Sequence, residues 1–331
     1  MLIKSPSAGL ASVVVFFSAA LWGIYWIPLR FLEEQGITGT AAVAVLNMPA
    51  ILPLLLLVAF QFRAHRGYLN RMLLIGIFTG LAIALYSSGV IYSSVVRATL
   101  LFYLTPVWAT LIEIFWFKEK AGWSRWMAAV AGLVGMALLL SGEGSAAFNL
   151  GDVFAFFSGV CWALGAAMIK RYDTVPLPGM LLSQFFFTVT GALALGLIAS
   201  SSYGVSSDVV SEISFAQIMP VLPVTSLIAI GIILPAVLAI FWAQKFLLPG
   251  RVGLLMMSEV IVAVASASLL LPEEQMSLIE WSGAALIISA CVLEVLAVPD
   301  GGDKTSENKI SEYSESESQK AELLSVQQAG R

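Results

Sequence analysis

The chain has 331 residues, 59% of them hydrophobic and 11% charged, with a mean hydropathy of +0.91 and a formal net charge of -4. Such a composition cannot present a wetted surface on all sides, which excludes an ordinary water-soluble domain. The single histidine, His65, falls in a polar loop, the two cysteines, Cys161 and Cys291, stand alone inside apolar runs, and no glycine-rich phosphate loop occurs. Zinc chemistry, a Ser-His dyad, a redox pair and a built-in ATP drive are therefore excluded, and no cofactor or metal is expected.

Apolar stretches bounded by charges or turn residues predict ten membrane-spanning helices, at 10–31, 39–61, 72–93, 98–117, 125–142, 152–171, 177–199, 218–243, 252–271 and 280–298. Most are near 20 residues, enough at about 1.5 Å per residue to cross roughly 30 Å of hydrocarbon. They are too uniformly apolar for the alternating strands of a barrel, so an all-α polytopic membrane protein is the expected class. The first run exceeds a signal-peptide core and is kept as a span.

In span 1, Phe16, Phe17, Ser18 and Trp22 form a Phe-Phe-Ser-x-x-x-Trp pattern that returns in span 6 as Phe156, Phe157, Ser158 and Trp162. Arg30 and Lys170 hold equivalent places further on. Trp22 and Trp162 are the symmetric pair expected to line a cavity, with Ser18 and Ser158 one turn away, although mid-span aromatics also pack against neighbouring helices. Tyr25 and Trp26 sit nearer the outer boundary. Span 2 carries Pro49 and Pro53, span 4 Pro106, and span 8 Pro223 and Pro235, each removing a backbone hydrogen bond and predicting a kink or a hinge. Gly76 and Gly80 give span 3 a face for close helix packing. Tyr86 in span 3 and Gln184 in span 7 are weaker cavity candidates, since either could brace a neighbour instead.

Acidic groups inside spans cost about 2.5 to 3.5 kcal/mol on insertion scales and need explaining. Glu259 in span 9 lies about 10 Å deep, with Ser258 and Ser266 near it and no basic residue in its own span. Two readings stand: a protonatable or cation-binding group in the cavity, or a carboxyl hydrogen-bonded in a packed interface. Glu113 shares a stripe of span 4 with Tyr103, Pro106, Thr110 and Phe117, and is read either as a second proton-coupling candidate or as the local ion-pair partner of Lys118 and Lys120. Glu294 reads as an end-of-helix residue. From Pro299 the chain turns to Ser, Glu, Gln and Lys, and this 299–331 tail is expected to be a disordered polar cytoplasmic segment.

With the N-terminus inside, a ten-span arrangement puts fifteen of the seventeen Lys and Arg residues on the cytoplasmic side, leaving Arg30 and Arg97 outside. Both termini are then cytoplasmic. An odd number of spans separates the copies of the repeat, so the second half enters the membrane upside down. The expected architecture is two inverted five-helix repeats, 10–142 and 152–298, the symmetry that suits alternating access.

The run Ala20-Leu21-Trp22-Gly23 in span 1, Tyr103-Leu104-Thr105-Pro106-Val107 followed by Lys118-Glu119 in span 4, and Gly132-Leu133-Val134-Gly135 in span 5 resemble the drug/metabolite transporter superfamily, and within it the EamA-type ten-helix carriers. The resemblance covers about residues 10–298. It implies two five-helix repeats around a central cavity and transport of small organic solutes, often as export. Glu259 departs from the pattern, standing near where the second repeat often has a proline.

The functional expectation is a secondary transporter in the bacterial inner membrane, not an enzyme, moving a neutral, zwitterionic or cationic solute such as an amino acid, an amine or a drug-like cation. Trp22, Trp162, Tyr103, Glu259, Ser18, Ser158, Tyr86 and Gln184 are its candidate binding residues, and Glu259 and Glu113 its candidate proton sites. Partners are the solute and the bilayer, with no nucleic acid, and the assembly is a monomer or homodimer. A passive channel would show charge rings or a filter loop, and a non-transporting scaffold or sensor has only the tail in its favour.

Overall fold

The computed structural model of the protein describes residues 7–93, 95–118, 122–139, 149–203, 215–270 and 277–296. The predicted tail 299–331 lies outside them. Every regular element among the described residues is helical: α1 (Ala8–Trp22), α2 (Trp26–Glu34), α3 (Gly39–Asn47), α4 (Ile51–Phe60), α5 (Phe62–His65), α6 (Leu69–Tyr92), α7 (Val95–Phe102), α8 (Thr105–Ile112), α9 (Trp123–Leu139), α10 (Leu150–Arg171), α11 (Leu177–Tyr203), α12 (Phe215–Ile228), α13 (Leu234–Gln244), α14 (Pro249–Met256), α15 (Ser258–Leu270) and α16 (Leu278–Leu296). The elements up to Val295 belong to one compact unit.

Six helical stretches among the described residues are long and apolar enough to cross a membrane: Ala8–Glu34, Gly39–Phe60, Phe62–Tyr92, Leu150–Arg171, Leu177–Ile198 and Phe215–Gln244. Thr105–Phe117, Trp126–Leu138 and Trp281–Ala290 are shorter apolar helices. The expected spans 4, 5, 9 and 10 thus coincide with shorter or interrupted helices, α7 with α8, α9, α14 with α15, and α16. Large apolar side chains such as Phe17, Leu52, Leu55, Phe60 and Leu227 are exposed, which is the outward face hydrocarbon accepts and water does not.

Several spans break in mid-course. Span 1 turns at Gly23–Tyr25, between α1 and α2, and Pro28 supplies the cause, because its nitrogen has no hydrogen to offer the Ile24 carbonyl four residues back. Span 2 tightens into a 3-10 turn at Met48–Ala50, around Pro49. Span 4 breaks at Tyr103–Leu104, just before Pro106, and runs out through a π-helical turn at Glu113–Phe117. Span 8 holds a π turn at Ala229–Ile233 before Pro235. The break at Met257 between α14 and α15 has no proline behind it.

Other boundaries follow from local chemistry. Gly36, at φ +80°, lets α2 close with paired bonds from Gly36 N–H to the Glu33 carbonyl and from Ile37 N–H to the Leu32 carbonyl. Asn149 and Asp152 cap the start of α10 reciprocally. Pro249 opens α14 three residues before the expected start of span 9. Arg251, which the sequence places in a loop, is therefore inside a helix and only 4% exposed.

The helices pack closely. α6 lies along α10 and α11, α1 against α13, α14 and α15, and α8 between α10 and α14. Gly76 and Gly80 do face a neighbour: a Cβ on Gly80 would fall 2.6 Å from the Gln184 carbonyl and 2.8 Å from the Thr188 nitrogen of α11. Backbones meet there as they do where small residues line a membrane helix.

Candidate functional site

The breaks in spans 1, 4, 8 and 9 gather around one buried cavity lined by Trp22, Ile83, Tyr86, Phe102, Trp162, Gln184, Val237, Ile240, Met256 and Glu259. Trp22 ends α1, Phe102 ends α7, and Met256 and Glu259 straddle the break between α14 and α15. Val237 and Ile240 follow the π turn of span 8. Its free volume is about 20 Å³, room for roughly one water molecule. A metabolite enters only if the surrounding helices part.

Five of the eight residues expected to bind solute line this cavity: Trp22, Trp162, Tyr86, Gln184 and Glu259. Tyr103 stands behind its wall, 1% exposed, with its hydroxyl donating to Glu259 Oε2 at 2.7 Å and 3.1 Å from the Met256 carbonyl. A phenol carries one proton and can serve one acceptor at a time. With Glu259 charged, the shorter bond takes it. With Glu259 protonated, the carboxyl can donate to the phenol oxygen, which releases the phenol proton to Met256. Both protonation states of Glu259 thus find partners without movement of the backbone.

The remaining polar atoms around the cavity are less completely satisfied. Trp162 Nε1 and Gln184 Oε1 are buried and have no hydrogen-bond partner among the described residues, while Gln184 Nε2 donates to Thr188 Oγ1 at 3.1 Å. Buried groups left in that state cost about 1 to 3 kcal/mol each, so a water or a solute group bonding to them is favoured. The Tyr86 hydroxyl lies 3.2 Å from Thr99 Oγ1, and the Tyr86 ring leans on Phe102 at 4.8 Å between centroids. Trp22 stacks on Tyr25, centroids 4.6 Å apart and planes 6° from parallel, and the Tyr25 hydroxyl accepts from Asn47 Nδ2 at 2.8 Å. Trp22 lines both this cavity and a second, almost entirely apolar pocket of about 180 Å³ between span 1 and span 8, whose lining includes Tyr25.

Ser18 and Ser158 are not brought into the cavity lining. Ser158 is fully buried and donates to the Ala155 carbonyl one turn back in its own helix, the self-satisfying bond a membrane-buried serine commonly makes. Ser266, expected beside Glu259, instead accepts from Trp26 Nε1 at 3.0 Å, and Ser258 donates to the Phe16 carbonyl at 2.8 Å. Both serines fasten span 9 to span 1. Glu113 is 1% exposed at the far end of span 4, where it accepts from the Gly250 backbone N–H. The apolar lining residues Ile83, Phe102, Val237, Ile240 and Met256 carry no sequence signal that separates them from other core positions.

Among the described residues no group of three or more His, Cys, Asp and Glu could hold a metal ion.

Residues 9–141 match the model of the EamA-like transporter family. The chain is 26% identical over 86 residues to a riboflavin transporter of Vibrio cholerae serotype O1, covering 26% of this chain and 28% of that protein. It is 24% identical over 84 residues to the uncharacterized transporter YdfC of Bacillus subtilis strain 168, covering 24% of this chain and 28% of that protein. The matched stretch thus spans little more than a quarter of either relative. A crystal structure of a protein with no stated function shares the fold at TM-score 0.59 and 17% identity, over 87% of this chain and 97% of that one. The family match covers all three motifs quoted from spans 1, 4 and 5. The chain is an integral, multi-pass membrane protein whose residues 9–141 are similar to the EamA-like transporter family, consistent with the drug/metabolite transporter superfamily.

Proposed function

We propose that this protein is a secondary transporter, not an enzyme, which exports a small neutral, zwitterionic or cationic organic solute across the bacterial inner membrane. Its ten spans form two inverted five-helix halves, 10–142 and 152–298, with both termini cytoplasmic, and rock about the central cavity to expose it to either side. Trp22, Trp162 and Tyr86 supply aromatic walls, Trp162 Nε1 and Gln184 Oε1 the unpaired polar contacts, and Glu259 the charge. Proton coupling runs through Glu259, whose titratable neighbours at the cavity are Tyr103, in hydrogen-bond contact, and Tyr86, in the same wall.

The observation that carries this reading is a carboxyl group at the centre of the bundle, 6% exposed, at the junction of two half-helices and paired with a tyrosine that serves both of its protonation states. Broken helices at mid-membrane are where transporters place solute and coupling-ion sites. The tight cavity favours a carrier that opens by turns over a continuous pore. The test is a panel of amino acids, amines, quaternary ammonium compounds and nucleobases, with riboflavin added because one partial relative is named for it, first by thermal shift and then by flux in proteoliposomes. In Glu259→Gln, flux of a hit is abolished or loses its pH dependence while the protein still folds. Unchanged flux and unchanged pH dependence in that variant would overturn the assignment.

A further inference from the structure

The stripe Tyr103, Pro106, Thr110 and Glu113 on span 4 lies against one face of α14, and each position meets a matching one. At the end of this contact away from the cavity, Glu113 accepts from the Gly250 N–H, in the first turn of α14. A Cβ on Gly250 would stand 2.9 Å from Thr110 Oγ1 and 3.0 Å from Glu113 Oε1. One turn further on, a Cβ on Gly253 would come 3.1 Å from the Pro106 Cα. At the cavity end, the Tyr103 hydroxyl reaches the Met256 carbonyl, the last residue of α14, and Glu259 beyond the break.

We infer that Glu113 is a positioning residue, which caps α14 and thereby holds Glu259 in register with Tyr103. A carboxylate at a helix N-terminus satisfies an otherwise orphaned N–H and meets the positive end of the helix dipole. Here the capped helix is a strut of eight residues, pinned to span 4 at both ends. The turn at Met257 stays hydrogen-bonded through the break, Met257 N–H to the Leu254 carbonyl and Val260 N–H to the Met257 carbonyl, so the placement of α14 against span 4 is carried on to Glu259, alongside the Ser258 and Ser266 bonds that fasten α15 to span 1. Spans 4 and 9 then move as one body when the cavity opens, and the glycines at 250 and 253 are what let the two backbones come close enough for the cap to reach. Glu113 acts through this contact and does not carry the proton.

The proposal rests on Glu259 as the titrating group of the cavity, and its test needs no solute. The Glu259 carboxyl band in pH-difference infrared spectra of the reconstituted protein is assigned by its loss in Glu259→Gln. Glu113→Gln removes the charge and keeps an oxygen that can accept from Gly250, Glu113→Ala removes both, and Gly250→Ala keeps the charge but forces the pair apart. Positioning requires that Glu113→Ala and Gly250→Ala move the Glu259 midpoint, by about tenfold in proton affinity, with Glu113→Gln close to wild type. Equal shifts in Glu113→Gln and Glu113→Ala, with none in Gly250→Ala, would show that the charge of Glu113 matters and its cap does not. Hydrogen exchange of peptides spanning 249–262 is the second readout: it rises in Glu113→Ala and Gly250→Ala and stays at the wild-type rate in Glu113→Gln. Should Glu259 fail to titrate in the wild type, proton coupling falls while the exchange data still decide the cap. Unaltered exchange in both Glu113→Ala and Gly250→Ala overturns it.

Discussion

Gly23→Ala tests how span 1 meets the cavity. Gly23 lies at the break between α1 and α2, and a Cβ there would fall 2.5 Å from the Glu259 carbonyl oxygen, 2.7 Å from Val262 Cβ and 2.9 Å from the Ala263 nitrogen. Two of the three obstacles are backbone atoms, which cannot swing aside as the end of a side chain can. The shortest distance is about 0.9 Å below the 3.4 Å at which ordinary contact begins, so span 1 or α15 must retreat by that order in a bundle packed to crystal-like density. Adding one methyl group to a close-packed site costs about 1–3 kcal/mol, and the rigid neighbours here argue for the upper part of that range. Purified protein in mixed micelles, unfolded by a denaturing detergent, gives the loss directly. Gly67→Ala is the control, since nothing lies within 4 Å of its added methyl, and it is expected to stay within about 0.5 kcal/mol of the wild type. Because the retreating atoms include the Glu259 carbonyl, Gly23→Ala also weakens any solute response in the panel above. Equal stability of the two variants would refute the close approach of spans 1 and 9.

The course of the helices was legible where proline chemistry controls it. Pro49, Pro106 and Pro235 mark interruptions that the structure places at or beside them. Pro28 is the missed signal: it stands near the end of a run that reads as one uninterrupted span, yet its absent N–H breaks the helix at Gly23–Tyr25. The break at Met257 has no such local cause. Tyr103 comes to it from span 4 and Gly23 from span 1, so the partners that accompany it are far away in sequence. Glu259 could be singled out because an acid in a span without a basic mate demands an explanation. Its phenol partner stood in the span 4 stripe, but nothing in the spacing said that the two spans cross there. Arg251 shows the opposite failure: charge suggested a loop, while Pro249 had already begun the helix that buries it. Ser18 and Ser158 were carried along by the repeated motif, although a serine that bonds its own helix, as Ser158 does, gives no sign in sequence of facing a cavity.

Two further perturbations separate the cavity from its supports. Tyr103→Phe removes the hydroxyl 2.7 Å from Glu259 and keeps the ring, so a hydrogen bond of about 0.5 to 1.5 kcal/mol with the carboxyl protonated, or about 1.5 to 3 kcal/mol with it charged, is lost with little change in packing. The infrared midpoint of Glu259 is expected to move and its band to broaden, and an unchanged band would remove Tyr103 from the proton site. Lys245 tests the loop between α13 and α14 by the pH dependence of folding. Its half-buried Nζ donates to the Val175 carbonyl at 2.6 Å, and desolvation, partly opposed by Asp173, holds its pKa below the ordinary 10.5. Over the window between the folded value and 10.5 the unfolded chain binds more protons than the folded one, so stability gains with rising pH there. Below the window the full burial penalty applies and is constant. Lys245→Met has no such titration, so the wild type gains on it as pH climbs toward 10.5 in melts of the detergent-solubilised protein. A difference that stays flat or shrinks over that window would mean that the ammonium group is well hydrated, and that the Lys245 bond to Val175 does not draw it out of water.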